Sequence, residues 1–358
     1  MKDPMMQDSH KLAYHPRAVA DWHGGKPVTP IHCDIGLTKR CQIKCVYCIA
    51  YTQGEGFESG NIIPKQPLLD FVSDFASIGG QSIAMIGDGE PTMNPAWLEA
   101  ARLGYLQGLD MAIATNGLKF QPGVDLAVFT WARFNISAGT REGYHKVHGV
   151  DAFDTVCDRI KEAVDTKRRL NLDTTIGLQM VPMPAYAEEA IPLAKLGKDL
   201  GVDYTVIKQC CISKDGITGP MSIGLEDPAV AEKDRELFKK AQEHTTEQHN
   251  VIVKWDRMET NSKRPYGICY GAPFIPQLSG DGCLYSCGPM FGHDEYKYLD
   301  ITKERLSNVY GTKRWYDVQQ KVYETNINKD CNSSCRCDAI NCYLYDLKHN
   351  EPMHKSFI

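Results

Sequence analysis

Cys41-Gln-Ile-Lys-Cys45-Val-Tyr-Cys48 sets three cysteines at C-x3-C-x2-C spacing, directly after the strand-like run 31–37. Soft thiolates this close in sequence can hold one face of a [4Fe–4S] cube and leave its fourth iron open to a small molecule. A structural zinc site is the alternative. It takes four closed ligands, usually as two C-x2-4-C pairs, whereas this stretch offers three cysteines.

Outward from the cysteines the chain alternates between two periodicities. Leu68, Leu69, Val72, Phe75 and Ile78 recur at helical spacing, and 81–86 reads as a buried strand. A helix over 95–108 leads to a strand at 110–114, a short helix at 126–131 to a strand at 133–137. Phe153, Val156, Cys157, Ile160, Ala163 and Val164 mark an amphipathic helix, followed by a strand at 172–181, a helix at 185–200 and a strand at 202–208. Six strand–helix repeats imply a parallel sheet with right-handed crossovers, either a partial barrel or a doubly wound sheet. In both, chemistry collects at the C-terminal strand ends.

Four motifs fall at those ends in one order: the cysteine triplet with Tyr47 before its last member, Gly87-Asp-Gly-Glu-Pro-Thr92, Ala114-Thr-Asn-Gly117 and Phe134-Asn-Ile-Ser137. In this order they resemble the radical S-adenosylmethionine (SAM) enzymes. The resemblance implies an α/β fold, a partial (β/α)6 TIM-like barrel, and a [4Fe–4S] cluster on Cys41, Cys45 and Cys48 whose open iron chelates SAM. It implies reductive cleavage of SAM to a 5′-deoxyadenosyl radical that abstracts hydrogen from substrate, with an external one-electron reductant such as flavodoxin or ferredoxin. Glu90 would accept from the SAM amino group, and Gly87 and Gly89 would permit close backbone approach. Asn116 and Ser137 would lie near ribose and carboxylate, Tyr47 on or near adenine, and Gln179 is a further candidate. Taken singly, Gly-Asp-Gly and Asn-Gly are common turns, and Ser137 reads as a cap or turn residue. His145 and His148 read as solvated loop residues rather than bases, and Met180 and Met183 as core or rim.

The C-terminal third is a second cysteine region. Cys269, Gly282 and Cys287 resemble the first half of the SPASM/twitch extensions, which carry auxiliary [4Fe–4S] clusters; Cys331-x3-Cys335-x-Cys337-x4-Cys342 departs from the SPASM spacing. Assigning Cys269, Cys287, Cys331 and Cys335 to one cluster leaves Cys283, Cys337 and Cys342, too few to ligate a second fully. One auxiliary cluster is the resulting expectation, with those last three as secondary ligand candidates and a zinc site as the alternative. A hairpin turning at 279–282 and a helix at 313–325 complete this part. The expected organisation is a leading segment 1–29, a core 30–210, a connecting region 211–264 and a cysteine-rich hairpin/helix extension 265–358.

Composition narrows the partners. A net charge of −5 argues against a basic nucleic-acid surface. No apolar run is long enough to span a bilayer, and the N-terminus lacks an apolar signal core. Clustered cysteines without an export signal point to metal in a reducing compartment, hence a cytoplasmic location. The segment before Cys41 leaves little room for an added recognition domain. The expected activity is therefore dehydrogenation, epimerisation or rearrangement of a small polar substrate: a sugar, aminocyclitol, nucleotide sugar or nucleoside. Peptide maturation and plain electron transfer are the rivals. Lys208 and Cys210, ending the sixth strand, are the candidate catalytic groups; Cys210 would return hydrogen to a substrate radical, whereas burial as a small hydrophobe is the commoner fate of Cys210 and Cys211.

Overall fold

The computed structural model describes residues 6, 9–48, 60–209, 228–255, 264–331, 335–350, 352–354 and 356–357, with 228–231 as backbone only. Seven parallel strands form its spine: β1 (His32–Ile35), β2 (Ser82–Met85), β3 (Asp110–Thr115), β4 (Trp131–Asn135), β5 (Thr175–Met180), β6 (Tyr204–Ile207) and β7 (Asn250–Val253). They lie side by side in chain order. Helices Lys65–Ser77, Trp97–Leu106, Phe153–Leu170, Ala190–Leu200 and Pro228–Gln242 make five of the six connections, and the short helix Pro122–Asp125 with the turn Leu126–Val128 makes that between β3 and β4. The result is the α/β partial barrel expected from the alternation, as an open sheet.

Strand parity explains where the core sits. Ile83, Met85, Met111, Ile113, Ala132, Phe134, Ile176, Leu178, Met180, Ile207, Val251 and Val253 share one continuous buried core with Leu68 and Val72, Ile160 and Val164, and Leu193 and Ala194 of the helices. The intervening residues form the other face. There Ser82, Ala84, Ala112, Arg133, Asn135, Gly177 and Gln179 replace large aliphatics, and Tyr204, Val206 and Ile252 make a small cluster of their own. A polar face next to the C-terminal strand ends is where a substrate can lie.

The C-terminal region joins this sheet. β8 (Gln277–Leu278) pairs in parallel with β1, and β9 (Cys283–Tyr285) and β10 (Lys297–Asp300) follow antiparallel, giving the order β10-β9-β8-β1-β2-β3-β4-β5-β6-β7. The hairpin over 279–282 is as expected; β10 is an addition. Leu278, Leu284, Tyr298, Leu299, Trp315 and Val318 belong to the same core as the barrel. Helix Lys65–Ser77 is clasped from the extension through Asp74, which accepts from Arg305 Nη2 at 2.6 Å, Arg305 Nε at 2.9 Å and Ser307 N and Oγ at 3.1 Å. A second core gathers Leu12, Val19 and Trp22 of the N-terminal segment with Tyr270, Phe274, Ile340 and Leu344.

Candidate active site

The segment leaving β1 carries the cysteine triplet, and three other segments close on it. Gly87 lies so near Gly36 that an added Cβ would sit 2.2 Å from the Gly36 Cα; at Gly89 it would sit 2.4 Å from the Arg40 carbonyl oxygen. Glu90 N donates to that same carbonyl at 2.9 Å. The close approach that glycine permits is thus made to the cysteine segment itself. Asp88 faces the other way, accepting from Ser279 Oγ at 2.8 Å and Gly280 N at 2.9 Å in the hairpin turn.

Glu90 is 4% exposed, and burial pushes its carboxyl pKa up against the hydrogen bonds that favour ionisation. Its Oε1 accepts from Thr115 Oγ1 at 2.6 Å, Thr92 Oγ1 at 2.7 Å and Thr92 N at 3.2 Å; Oε2 accepts from Asn116 N at 2.8 Å. Asn116 in turn reaches Cys41 Sγ at 3.8 Å through Nδ2, and its Oδ1 accepts from Gln42 Nε2 at 3.1 Å. Gln42 Oε1 is buried with no donor among the described residues. The motif after β2, the motif after β3 and the cysteine loop therefore form one polar network.

At the far side Ser137 Oγ donates to Tyr47 OH at 2.8 Å and accepts from Val181 N at 3.1 Å. Ser137 has φ 49°, a left-handed backbone that a short polar side chain tolerates. Tyr47 is buried, edge-on to His148. His148 corrects the reading of a solvated loop residue. It ends helix Arg141–His148, is fully buried, and bridges Cys45 Sγ at 3.0 Å through Nδ1 and the Ile136 carbonyl at 2.6 Å through Nε2. Burial lowers its pKa to about 4. His145, on the same helix rather than a loop, pairs with Asp151 at 2.9 Å in solvent. Sequence offered one signal for His148, its helical offset from the buried Tyr144; an inward face needs the helix to be known.

Fit to a cluster is decided by the donor set. Burial pushes the Cys41 thiol up to about 11, and the nearby Glu90 adds to the effect. Burial also raises the Cys45 thiol, reinforced by negative charge on Cys48 and Cys41. Half-buried thiols, one of them opposed in its ionisation by the other two, suit a cationic centre that stabilises the thiolates together. These residues fit the cluster.

In the extension, Cys269, Cys287, Cys331 and Cys335 line one cavity with Cys337, Ser286, Met290 and Tyr296. Burial holds the Cys287 thiol well above its usual value, and negative charge on Cys269, Cys331 and Cys335 adds to it. Cys337 donates to Cys269, keeping the proton on Cys337. Two secondary candidates lie elsewhere: Cys283 sits on β9, and Cys342 packs in the second core on helix Asp338–His349. Neither lines the cavity. Arg336, between two cavity cysteines, pairs with Asp34 of β1, a link that no motif announced.

Gln179 Nε2 donates to Asn135 Oδ1 at 3.0 Å, and its buried Oε1 has no donor among the described residues. Lys208 follows β6, its N–H donating to the Met180 carbonyl at 3.0 Å. Cys210 and Cys211 lie outside the described residues. Met180 and Met183 are core, as expected.

Residues 35–191 match the model of the radical SAM superfamily. Relatives include a "Probable GTP 3′,8-cyclase" of Saccharolobus islandicus, 31% identical over 187 residues, covering 50% of this chain and 56% of that protein. Another of the same name, from Thermococcus kodakarensis, is 28% identical over 155 residues, covering 42% of this chain and 49% of that protein. The chain spans about half the length of the curated relatives it matches. Among solved structures, Streptococcus suis SuiB bound to S-adenosylmethionine aligns with TM-score 0.61 at 15% identity, covering 85% of this chain and 71% of that one. Native anSMEcpe with bound AdoMet aligns with TM-score 0.58 at 16% identity, covering 87% and 88%. These two share the fold. No helix among the described residues is long and apolar enough to cross a membrane. The domain match lies over the strand ends that carry the thiols and the buried carboxylate, so residues 35–191 of this chain carry a radical SAM domain, whose family uses a [4Fe–4S] cluster and SAM.

Proposed function

We propose that the chain cleaves SAM reductively and removes hydrogen from a small polar substrate of the sugar or nucleotide kind, followed by dehydrogenation, epimerisation or rearrangement. The observation that supports this best is the single network running from Cys41 through Asn116 to the buried Glu90. When bound, the cluster and SAM supply a carbon radical able to attack an unactivated C–H bond. The chain's own residues then have positioning work. Cys41, Cys45 and Cys48 would hold the cluster. Glu90, anchored by both threonines, keeps Oε2 oriented with room for a further donor, as the SAM amino group requires. Gly87 and Gly89 bring that carboxylate against the cysteine segment, Asn116 and Ser137 would meet ribose and carboxylate, Tyr47 would wall the adenine, and Gln179 Oε1 is open to a hydroxyl.

Cys269, Cys287, Cys331 and Cys335 would hold one auxiliary [4Fe–4S] cluster in the extension 265–358, with Cys337 a fifth thiol beside it. An oxidation would deliver its second electron there, and Lys208 would be the candidate to take a proton; a redox-neutral reaction would need a hydrogen donor, the role open to Cys210. A cytoplasmic setting and a flavodoxin- or ferredoxin-type donor suit this chemistry. The peptide alternative keeps one support, the fold shared with SuiB, which has also been solved with precursor peptide SuiA.

The test is anaerobic reconstitution with iron and sulfide, then SAM and dithionite. The chain should release 5′-deoxyadenosine, and a variant with Cys41, Cys45 and Cys48 all changed to Ala should not. Release no greater than a cluster-free control rejects the proposal.

A further inference from the structure

Asp34 sits where the barrel, the hairpin and the second cysteine region meet. Its neighbours Cys33 and Ile35 belong to the main core, so by parity His32 and Asp34 fall on the polar face of the sheet. Register sets Asp34 opposite Ala84 of β2 and Gln277 of β8. His32 Nε2 donates to Asp34 Oδ1 at 2.9 Å, His32 Nδ1 accepts from Ser82 Oγ at 2.8 Å, and Gln277 Nε2 donates to Asp34 Oδ2 at 3.4 Å. A further partner is Arg336, whose guanidinium pairs with Asp34 Oδ2. One carboxylate thus ties β1, β2 and β8 to the cysteine segment.

Arg336 stands between Cys335 and Cys337, which both line the five-thiol cavity, and its charge is within electrostatic reach of Cys337 and Cys33. Asp338, two residues on, is engaged by Tyr266 and Arg264 instead. Burial, helped by the Arg336 charge, lowers the His32 pKa to about 3, so His32 is neutral and the charges facing each other at this seam are those of Arg336 and Asp34. The two side chains are only 30% and 14% exposed, so solvent screens them little. A largely buried ion pair is a weak source of stability, because desolvation takes back much of its attraction; its charges call for another use.

The cavity itself suits electron-rich sulfur. Asn341 Nδ2 donates to Cys269 Sγ at 3.5 Å, while its Oδ1 is fixed by the Tyr270 and Gly271 amides, each at 2.8 Å. Ser286 Oγ, fully buried in the cavity wall, has no nitrogen or oxygen partner among the described residues. Donors aimed at sulfur are what a thiolate-ligated cluster needs around it.

Resting on the single auxiliary cluster proposed above, we propose that Arg336 and Asp34 are positioning residues whose charge-compensated bridge sets the reduction potential of that cluster from the substrate face of the barrel. Reduction adds a negative charge to a cluster. A nearby cation stabilises the reduced form and raises the potential, and a nearby anion does the reverse. Arg336 pulls the potential up, and Asp34 offsets part of that pull.

The test uses the full chain with Cys41, Cys45 and Cys48 changed to Ala, reconstituted so that only the auxiliary cluster contributes, and reads its midpoint potential by redox titration followed by electron paramagnetic resonance. Asp34→Asn leaves the cation uncompensated and should raise the potential; Arg336→Gln leaves the carboxylate uncompensated and should lower it. Each shift should change the oxidised-to-reduced ratio at a fixed poise about tenfold, or ~59 mV for one electron. The double variant should return most of the way to the starting value, and Arg336→Lys should stay near it. Arg314→Gln, at a surface arginine paired with Glu304, should change nothing. Shifts of one sign in both single variants, unchanged potentials in both, or loss of the cluster from either would overturn the proposal, the last by making the pair a mechanical tie. A four-iron signal missing from the parent variant would instead reject the auxiliary cluster itself, and the bridge's role with it.

Discussion

At the scale of single residues, His148 shows how a side chain without a motif can hold a site together. Its ring spans the Cys45 sulfur and the Ile136 carbonyl in a fully buried position. His148→Ala removes both bonds, leaves a buried carbonyl unpaired and opens a cavity, a loss of about 2–4 kcal/mol. Melting of the apo protein should show that loss, and iron–sulfur reconstitution should slow because Cys45 is no longer fixed. His148→Phe restores volume alone and should recover only part of either property; full recovery of both would mean that the hydrogen bonds contribute nothing. Cys41, Cys45 and Cys48 stood out by residue type and spacing, and Glu90 through the family resemblance that its motif carries. His148 was not, since its role depends on a helix face and on a loop about a hundred residues earlier.

Among the elements, helix Lys65–Ser77 and the hairpin over 279–282 are where the extension grips the barrel. Burial alone would raise the Asp74 pKa, but hydrogen bonds from Arg305 and Ser307 outweigh it and hold the carboxyl below its usual range. A depressed folded-state pKa gives stability that is present above the unfolded value and fades as pH falls through the folded one. With Arg305 45% exposed in its side chain, solvent screens the pair, so Asp74→Asn should cost about 1–2 kcal/mol at neutral pH. That difference should shrink as denaturation is repeated from about pH 5 down to about pH 2; a constant difference would show that Asp74 acts through packing instead. The hairpin gives a sharper prediction. A Cβ on Gly280 would lie 2.5 Å from the Thr38 carbonyl carbon, so Gly280→Ala must push the turn away from both Asp88 and the cysteine segment. SAM binding measured by calorimetry should weaken in this variant although the turn contains none of the proposed SAM contacts. Unchanged SAM affinity would uncouple the hairpin from the site. Helices and strands of the barrel were readable from periodicity, with ends trimmed by a few residues. β10 and the two-residue β8 were harder, because so short a run has no period to detect.

Across the whole molecule, the barrel and the cysteine-rich extension share one sheet and one principal core. β8 joins β1 from more than two hundred residues away, and Leu278, Leu299 and Trp315 pack in the same core as Leu68 and Phe75. Long-range pairing of this kind leaves no local trace in sequence. Its consequence is cooperative: amides of β8 and β9 should exchange with protection comparable to β1, and β8–β10 amides that exchange at loop rates beside a protected β1 would show the extension opening on its own. Metal content should obey a different rule. Because the cysteine triplet and the five-thiol cavity are separate donor sets, the reconstituted chain should hold about eight iron atoms, four per cluster. Changing Cys287 and Cys331 together to Ala should lower this to about four and leave 5′-deoxyadenosine release in place, since neither residue belongs to the SAM network. The hairpin should stay docked in that variant, held by its core residues and by Asp88. About four iron atoms with one zinc in the unaltered chain would instead make the cavity a structural zinc site. About twelve would require Cys283 and Cys342 as ligands, although one sits on the hairpin and the other on helix Asp338–His349, both away from the cavity; that outcome would overturn the assignment of a single auxiliary cluster.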